Sequence, residues 1–300
     1  MTSRRPPAIV INDSTPRDLE HLAPPNLSRH TRNEIAKQLE AAGVAEIELG
    51  IPGFTGTAID DLAAVAMGLV RARPILWGPA SKHTVETATR AGIGAITLSV
   101  KLSARRHGGV AVLNRLSHII GHARERGLTV GLCGDDASRA NFDLIRDVIA
   151  AAEASGATRF RFTDTAGLLH PIRTHALFRQ LCAETDLELE FRGHDDFALA
   201  TANTLAAVQG GATHVSTSLV KRSGRSAAAP LEDVVGAIRI STLHPVDIDL
   251  ARVPPLAVQV AAILGVAPAT TGQSRGPAGA MPRHDASRIG FGAVARPEAR

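Results

Sequence analysis

From Ala8 onward, short β-branched or apolar runs alternate with longer amphipathic stretches at a repeat of roughly 25 to 35 residues, the rhythm of strand–helix units. The runs predict strands over 8–12, 45–49, 74–77, 95–98, 128–132, 159–162, 187–191 and 214–217. Between them, cap residues mark helices. Ser28 precedes a helix ending at Gly43, with Ile35, Leu39 and Ala42 on one stripe, and Ser81 opens another that stops at Gly92. A third runs from about Gly109 to Arg126, a fourth from Asp196 to Gly210-Gly211, and a fifth from Leu231 to Ile240. Helices joining consecutive strands force those strands to be parallel. Eight such units predict an α/β fold, a (β/α)8 TIM barrel, with a doubly wound open sheet as the alternative.

The pattern sets the domain boundaries. Residues 1–7 are charged and proline-rich without an apolar core and read as a disordered tail, 8–242 as the barrel, and 243–300 as a small, partly irregular appendage. In that appendage only 256–264 has helical spacing, and Thr270 to Arg283 is rich in Gly, Pro, Ser and Arg. Two cysteines, Cys133 and Cys182, cannot build a disulfide framework and lie in no C-x-x-C pair, which predicts a reduced, cytoplasmic chain. The charge of +4 is spread over predicted helices, with one Trp and no Tyr, so a solvated basic surface is expected rather than a nucleic-acid partner. No apolar run approaches the roughly 18 residues of a membrane span.

Strand C-terminal ends point into a barrel's mouth, so the residues there are the candidates for chemistry. Strand one offers Asp13, Arg17 and Asp18, strand two Glu48, strand four Ser99 and Lys101, and strand five Asp135 and Asp136. Strand six offers Thr163, Asp164 and Thr165, strand seven Arg192, His194, Asp195 and Asp196, and strand eight Thr217 and Ser218, followed by Lys221, Arg222 and Arg225. Carboxylates and cations together suit an anionic small molecule. Asp18 with His194 could begin a divalent-metal site or could each be hydrogen-bonded within a loop. Asp135-Asp136 and Asp195-Asp196 also read as helix N-caps, and His214 as a core histidine.

Four segments carry a resemblance: Asp13–Asp18, Ala42–Pro52, Phe162–Gly167 and His194–Leu205. In order along the chain they resemble the homocitrate synthase and isopropylmalate synthase family, with the nitrogen-fixation homocitrate synthases as the branch most resembled. The resemblance implies a TIM barrel that uses a divalent metal (Mg, Mn or Zn) to condense acetyl-CoA with a 2-oxo acid such as 2-oxoglutarate. It implies that Arg17 stabilises the oxyanion, that Asp18 and His194 bind metal, and that Glu48 and Thr165 line the substrate pocket. His284 in the appendage would belong to the acid/base machinery, and a homodimer is implied.

The chain departs from that family at the implied metal site. Arg192 stands where the first histidine of His-x-His-Asn-Asp belongs, Asp195 replaces its Asn, and Ala228 replaces the ligand Asn of the segment after strand eight, which keeps only Arg225. Weak or absent metal binding is therefore the expectation. Three functions follow: a divergent acyltransferase; a metal-independent enzyme in which Arg17, Arg192 and Lys221 or Arg225 hold a carboxylate; or a catalytically silent barrel that binds a small carboxylate or a partner protein.

Overall fold

The computed structural model describes residues 6–22, 27–50, 58–103, 110–222, 225–226 and 228–265. They lie in the compact unit Met1–Pro268; the second unit, Ala269–Arg300, is outside the described residues. Eight parallel strands close into a barrel in sequential order: β1 (Val10–Asp13), β2 (Glu46–Leu49), β3 (Arg73–Pro79), β4 (Ala95–Lys101), β5 (Thr129–Asp135), β6 (Arg159–Asp164), β7 (Glu188–Gly193) and β8 (His214–Thr217). All eight predicted strands are present, and most extend one to three residues further toward the mouth. The open sheet is excluded by the β1–β8 pairing, which runs from Val10 opposite His214 to Asp13 opposite Thr217.

Helices α1 (Thr15–Leu22), α2 (Arg29–Ala41), α3 (Ile59–Gly68), α4 (Lys82–Arg90), α5 (Val110–Glu125), α6 (Phe142–Ala154), α7 (Pro171–Glu184), α8 (Ala200–Gly210) and α9 (Leu231–Ser241) return the chain between strands or follow the last one. Ser28 and Ser81 cap α2 and α4 by accepting from the backbone N–H groups of Thr31 and Thr84. Two expected caps are corrected. Asp136 heads a three-residue 3₁₀ turn, Ala137–Arg139, and α6 is instead capped by Asn141, whose side chain accepts from the Asp143 N–H. The helix expected from Asp196 begins at Ala200, because Ala198 takes a left-handed φ of 57° and the Asp195 carboxylate reaches forward to the Ala200 N–H at 3.0 Å.

After β8 come two short antiparallel strands, β9 (Lys221–Arg222) and β10 (Arg225–Ser226), which the pattern did not predict. Beyond α9, helix α10 (Val253–Leu264) starts earlier than its periodicity indicated and packs on α2, burying Val253, Leu256 and Val260. No helix among the described residues is long and apolar enough to cross a membrane.

The alternation along β2, β6 and β7 decides what fills the barrel. Ile47, Leu49, Phe160, Phe162, Leu189 and Phe191 belong to the apolar core. Phe162 and Phe191 meet Phe178 of α7 edge-on at ring separations of 6.2 and 5.6 Å, so these positions face the helical layer. The alternate positions therefore face inward. They are Glu46 and Glu48, Arg159 and Arg161, and Glu188, Glu190 and Arg192, and all but Glu188 are buried.

Candidate active site at the barrel mouth

Barrel closure also sets the first wall of the site. Asp13 is fully buried; its carboxylate accepts from the Thr15 N–H (2.9 Å) and the Thr217 hydroxyl (2.7 Å), tying the end of β1 to the end of β8. Thr15 Oγ in turn accepts from the Leu219 N–H at 2.8 Å. Asp13 is thus structural. Burial raises its carboxyl to about 6 against those hydrogen bonds. The turn it fixes starts α1, whose first residues bring Arg17 and Asp18 to the mouth.

Asp18 is enclosed by donors. Its Oδ1 accepts from Arg17 Nε (3.2 Å) and Nη2 (2.9 Å), its Oδ2 from Ser14 Oγ (2.8 Å), and Arg192 Nη2 lies 3.3 and 3.2 Å from the two oxygens. Burial acts to raise this carboxyl. The guanidiniums of Arg192 and Arg17, with the hydrogen bonds, outweigh it and hold Asp18 well below the usual carboxylate range. Arg192 also donates to Ser14 Oγ through Nη1 at 2.6 Å. Arg17 continues to Glu48 through Nη1 at 2.5 Å, and its guanidinium carbon sits 4.8 Å from the centre of the Trp77 ring.

Below this layer the inward charges form one chain of alternating sign. Glu48 pairs with Arg161, Arg161 Nε lies 3.0 Å from Glu190, Glu190 lies 3.4 Å from Arg159 Nη1, and Arg159 reaches Glu46 at 2.6 Å. From bottom to mouth the order is Glu46, Arg159, Glu190, Arg161, Glu48, Arg17, Asp18, Arg192: four carboxylates and four guanidiniums, all buried. Burial would lift Glu190, but Arg161, Arg159 and a hydrogen bond from Ser216 bring it down to about 2. His214, at the base, is buried 3.7 Å from Glu188, as expected of a core histidine.

Above the chain opens a cavity of about 470 Å³, a size suited to a small molecule. Arg17, Arg161, Arg192, Lys101 and Arg139 line it against Asp18, Asp135 and Asp136, with Trp77, Cys133, Thr163, Thr165 and His194 completing the wall. Five cations and three carboxylates line it, and Glu48 and Glu190 beneath the wall pair with Arg17 and Arg161, so the charges are close to balanced. Asp135 accepts hydrogen bonds from Ser99 and from Cys133 Sγ (3.3 Å). Burial, with the nearby Asp135 charge, pushes the Cys133 thiol far up, so it is no thiolate nucleophile. Asp136 holds a left-handed φ of 58°, pairs with Arg139 and accepts from Ser103, while its N–H donates to Thr165 Oγ at 3.0 Å. Such a strained non-glycine conformation at a cavity wall is a mark of functional sites.

Of the residues singled out from sequence, Arg17, Asp18, Lys101, Asp135, Asp136, Thr163, Thr165, Arg192 and His194 meet on this wall. Glu48 lies one step beneath it, bridging Arg17 and Arg161. Arg225 is in β10, but its side chain, like all of His284, falls outside the described residues. Ser14, Arg161, Trp77, Cys133 and Arg139 were not singled out. For Arg161 a signal existed, since Arg-Phe-Arg-Phe alternates a charge with the face that packs on helices.

The donor set does not fit a divalent metal. The acceptor capacity of Asp18 is taken by Ser14 and two guanidiniums, and a guanidinium cannot be a ligand and repels an ion beside it. Ala228, fully buried where an Asn ligand was expected, presents only a methyl group. Among the described residues, no three His, Cys, Asp or Glu side chains come together as a metal-binding group.

The chain matches the family model described as HMGL-like over residues 8–260. It is 34% identical to homocitrate synthase 1 of Nostoc sp. over 265 residues, covering 86% of this chain and 70% of that protein. It is 29% identical to 2-isopropylmalate synthase 2 of Caldanaerobacter subterraneus over 274 residues, covering 88% and 71%. The crystal structure of the Bacillus subtilis HMG-CoA lyase superposes with a TM-score of 0.77 over 89% of this chain and 97% of that one, at 18% identity, a likeness of fold.

Proposed function

The chain belongs to the HMGL-like family, and from that premise we propose that it is a homocitrate-synthase-like acyltransferase, condensing acetyl-CoA with a small 2-oxo acid such as 2-oxoglutarate. The observation that carries the reading is the cavity wall, where Arg17 and Arg192 flank Asp18 at the strand ends. In the condensation a base takes a proton from the acetyl methyl group, and the enolate carbon attacks the ketone carbon of the 2-oxo acid. The ketone oxygen becomes an alkoxide and is then protonated. Water finally cleaves the thioester and releases the CoA thiol.

Arg17 is assigned to the developing alkoxide. Of its five N–H donors, three are engaged by Asp18 and Glu48, which fix the fork, leaving two to meet an oxygen in the cavity. Thr165 and Arg192 are assigned to substrate contact, with Glu48 orienting Arg17 from below, and Arg225 is a further candidate from β10. His284 is assigned to acid/base work by the resemblance, and Asp135 is a carboxylate of the cavity wall. Asp18 is reassigned from metal ligand to the anchor of both guanidiniums. Relatives named as homocitrate and isopropylmalate synthases support the acyl-transfer chemistry.

The test is release of CoA thiol from acetyl-CoA in the presence of 2-oxoglutarate, pyruvate, 2-oxoisovalerate or glyoxylate, with the product acid identified by mass. Release that requires one of these acids is expected. Acetyl-CoA left intact with all four, with and without added Mn²⁺, would refute acyl transfer and leave a carboxylate-binding barrel as the reading.

A further inference from the structure

The same wall that fails as a metal site is built to do without one. Arg192 is 3% exposed, and its two terminal nitrogens hold Ser14 and Asp18, so a fixed positive charge sits beside the carboxylate that would otherwise face a divalent ion. In the chain of charges beneath it each carboxylate already has a guanidinium partner, so none is left free to ligate a divalent ion. A second observation points to a ligand. Arg17 lines the cavity, and of its five N–H donors only three are engaged by Asp18 and Glu48, so two remain for an oxygen in the cavity.

We propose that this cavity binds a small carboxylate without any divalent cation, the Arg192 guanidinium standing in for the ion and Arg17 completing the anion-binding wall. A planar fork of donors matches a carboxylate, or the carboxylate and adjacent carbonyl of a 2-oxo acid, through paired hydrogen bonds. The ligand class rests on the acyl-transfer reading, whereas metal independence rests on Arg192, Asp18 and Ala228 alone.

The experiment is calorimetry on the full-length, chelator-treated protein, titrated with 2-oxoglutarate and separately with Mg²⁺, Mn²⁺ and Zn²⁺. We expect 2-oxoglutarate to bind in the chelator, with a Kd unchanged by added metal. Arg192→Leu should weaken it by about tenfold or more, the loss of a charge-assisted hydrogen bond. Asp18 keeps Ser14 and Arg17 in that variant, and a melting curve checks its fold. Should Arg192→Leu not fold, Arg192→Lys keeps the charge, loses the fork, and should weaken binding by a smaller factor. Arg192→His combined with Ala228→Asn should make 2-oxoglutarate binding respond to Mn²⁺.

A stoichiometric metal on the unaltered protein that tightens 2-oxoglutarate would overturn the proposal. So would an absence of binding in chelator, or Arg192 variants that bind as tightly as the parent. Binding in chelator with no CoA release in the separate thiol assay supports the proposal and removes only the acyl-transfer reading.

Discussion

Arg17 places three donors on two carboxylates and its face on Trp77, an arrangement only a guanidinium can make. Arg17→Lys keeps the charge but cannot bridge Asp18 and Glu48 in one plane, so kcat/KM for CoA release should fall about a hundredfold while the melting curve shifts little. Two buried carboxylates nearby titrate in opposite senses. Asp13 has its pKa raised from 3.8 to about 6, so its share of stability is complete below the unfolded value and is lost as pH rises through about 6. Glu190, lowered from 4.5 to about 2, contributes above 4.5 and loses that share as pH falls toward 2. Asp13→Asn should therefore flatten the fall in Tm between pH 4 and 6 without touching the acid limb; an unchanged profile would show that Asp13 does not titrate in this window. Residue identity disclosed Arg17 and Asp18, because a charged pair just past a strand is conspicuous. It did not disclose Ser14, whose short hydroxyl matters only because β8 and Arg192 are beside it.

Among the elements, α2 and the segment leading to α10 are joined at one close approach. Gly43 has a φ of +97°, and a Cβ there would lie 2.3 Å from the Asp247 carbonyl oxygen, while the Asp249 N–H donates to Ala42 O at 2.7 Å. Gly43→Ala should cost about 2–4 kcal/mol, from backbone strain and the displaced segment, and lower Tm by several degrees. The helix stop at Gly43 was legible, as was the stop at Gly92, because glycine after an amphipathic stripe has a local cause. The start of α8 was not. Asp196 looked like a cap, but the Asp195 side chain reaches across a left-handed turn at Ala198, and that turn carries no glycine to announce it. Asp136 misled similarly: its left-handed backbone is sustained by Arg139, Ser103 and Thr165, partners drawn from three segments.

For the molecule as a whole, the barrel was readable from the strand–helix rhythm and its closure from the count of eight, yet the filling of its interior was not read. Glu-Ile-Glu-Leu, Arg-Phe-Arg-Phe and Glu-Leu-Glu-Phe gave the alternation, but which Glu meets which Arg depends on register between strands more than a hundred residues apart in sequence. The result is a core held partly by ion pairs, in which removing one charge exposes its neighbour. Glu48→Gln, which leaves Arg17 and Arg161 facing each other across a neutral amide, should destabilise by about 3 kcal/mol or more in urea unfolding. That closed row of alternating charges also has a historical consequence. An interior member exchanged alone takes one partner from each of two buried ions, so lineages are expected to cross such changes in pairs. Positions 161 and 190 are expected to covary among relatives, each substitution opening the way for its partner's.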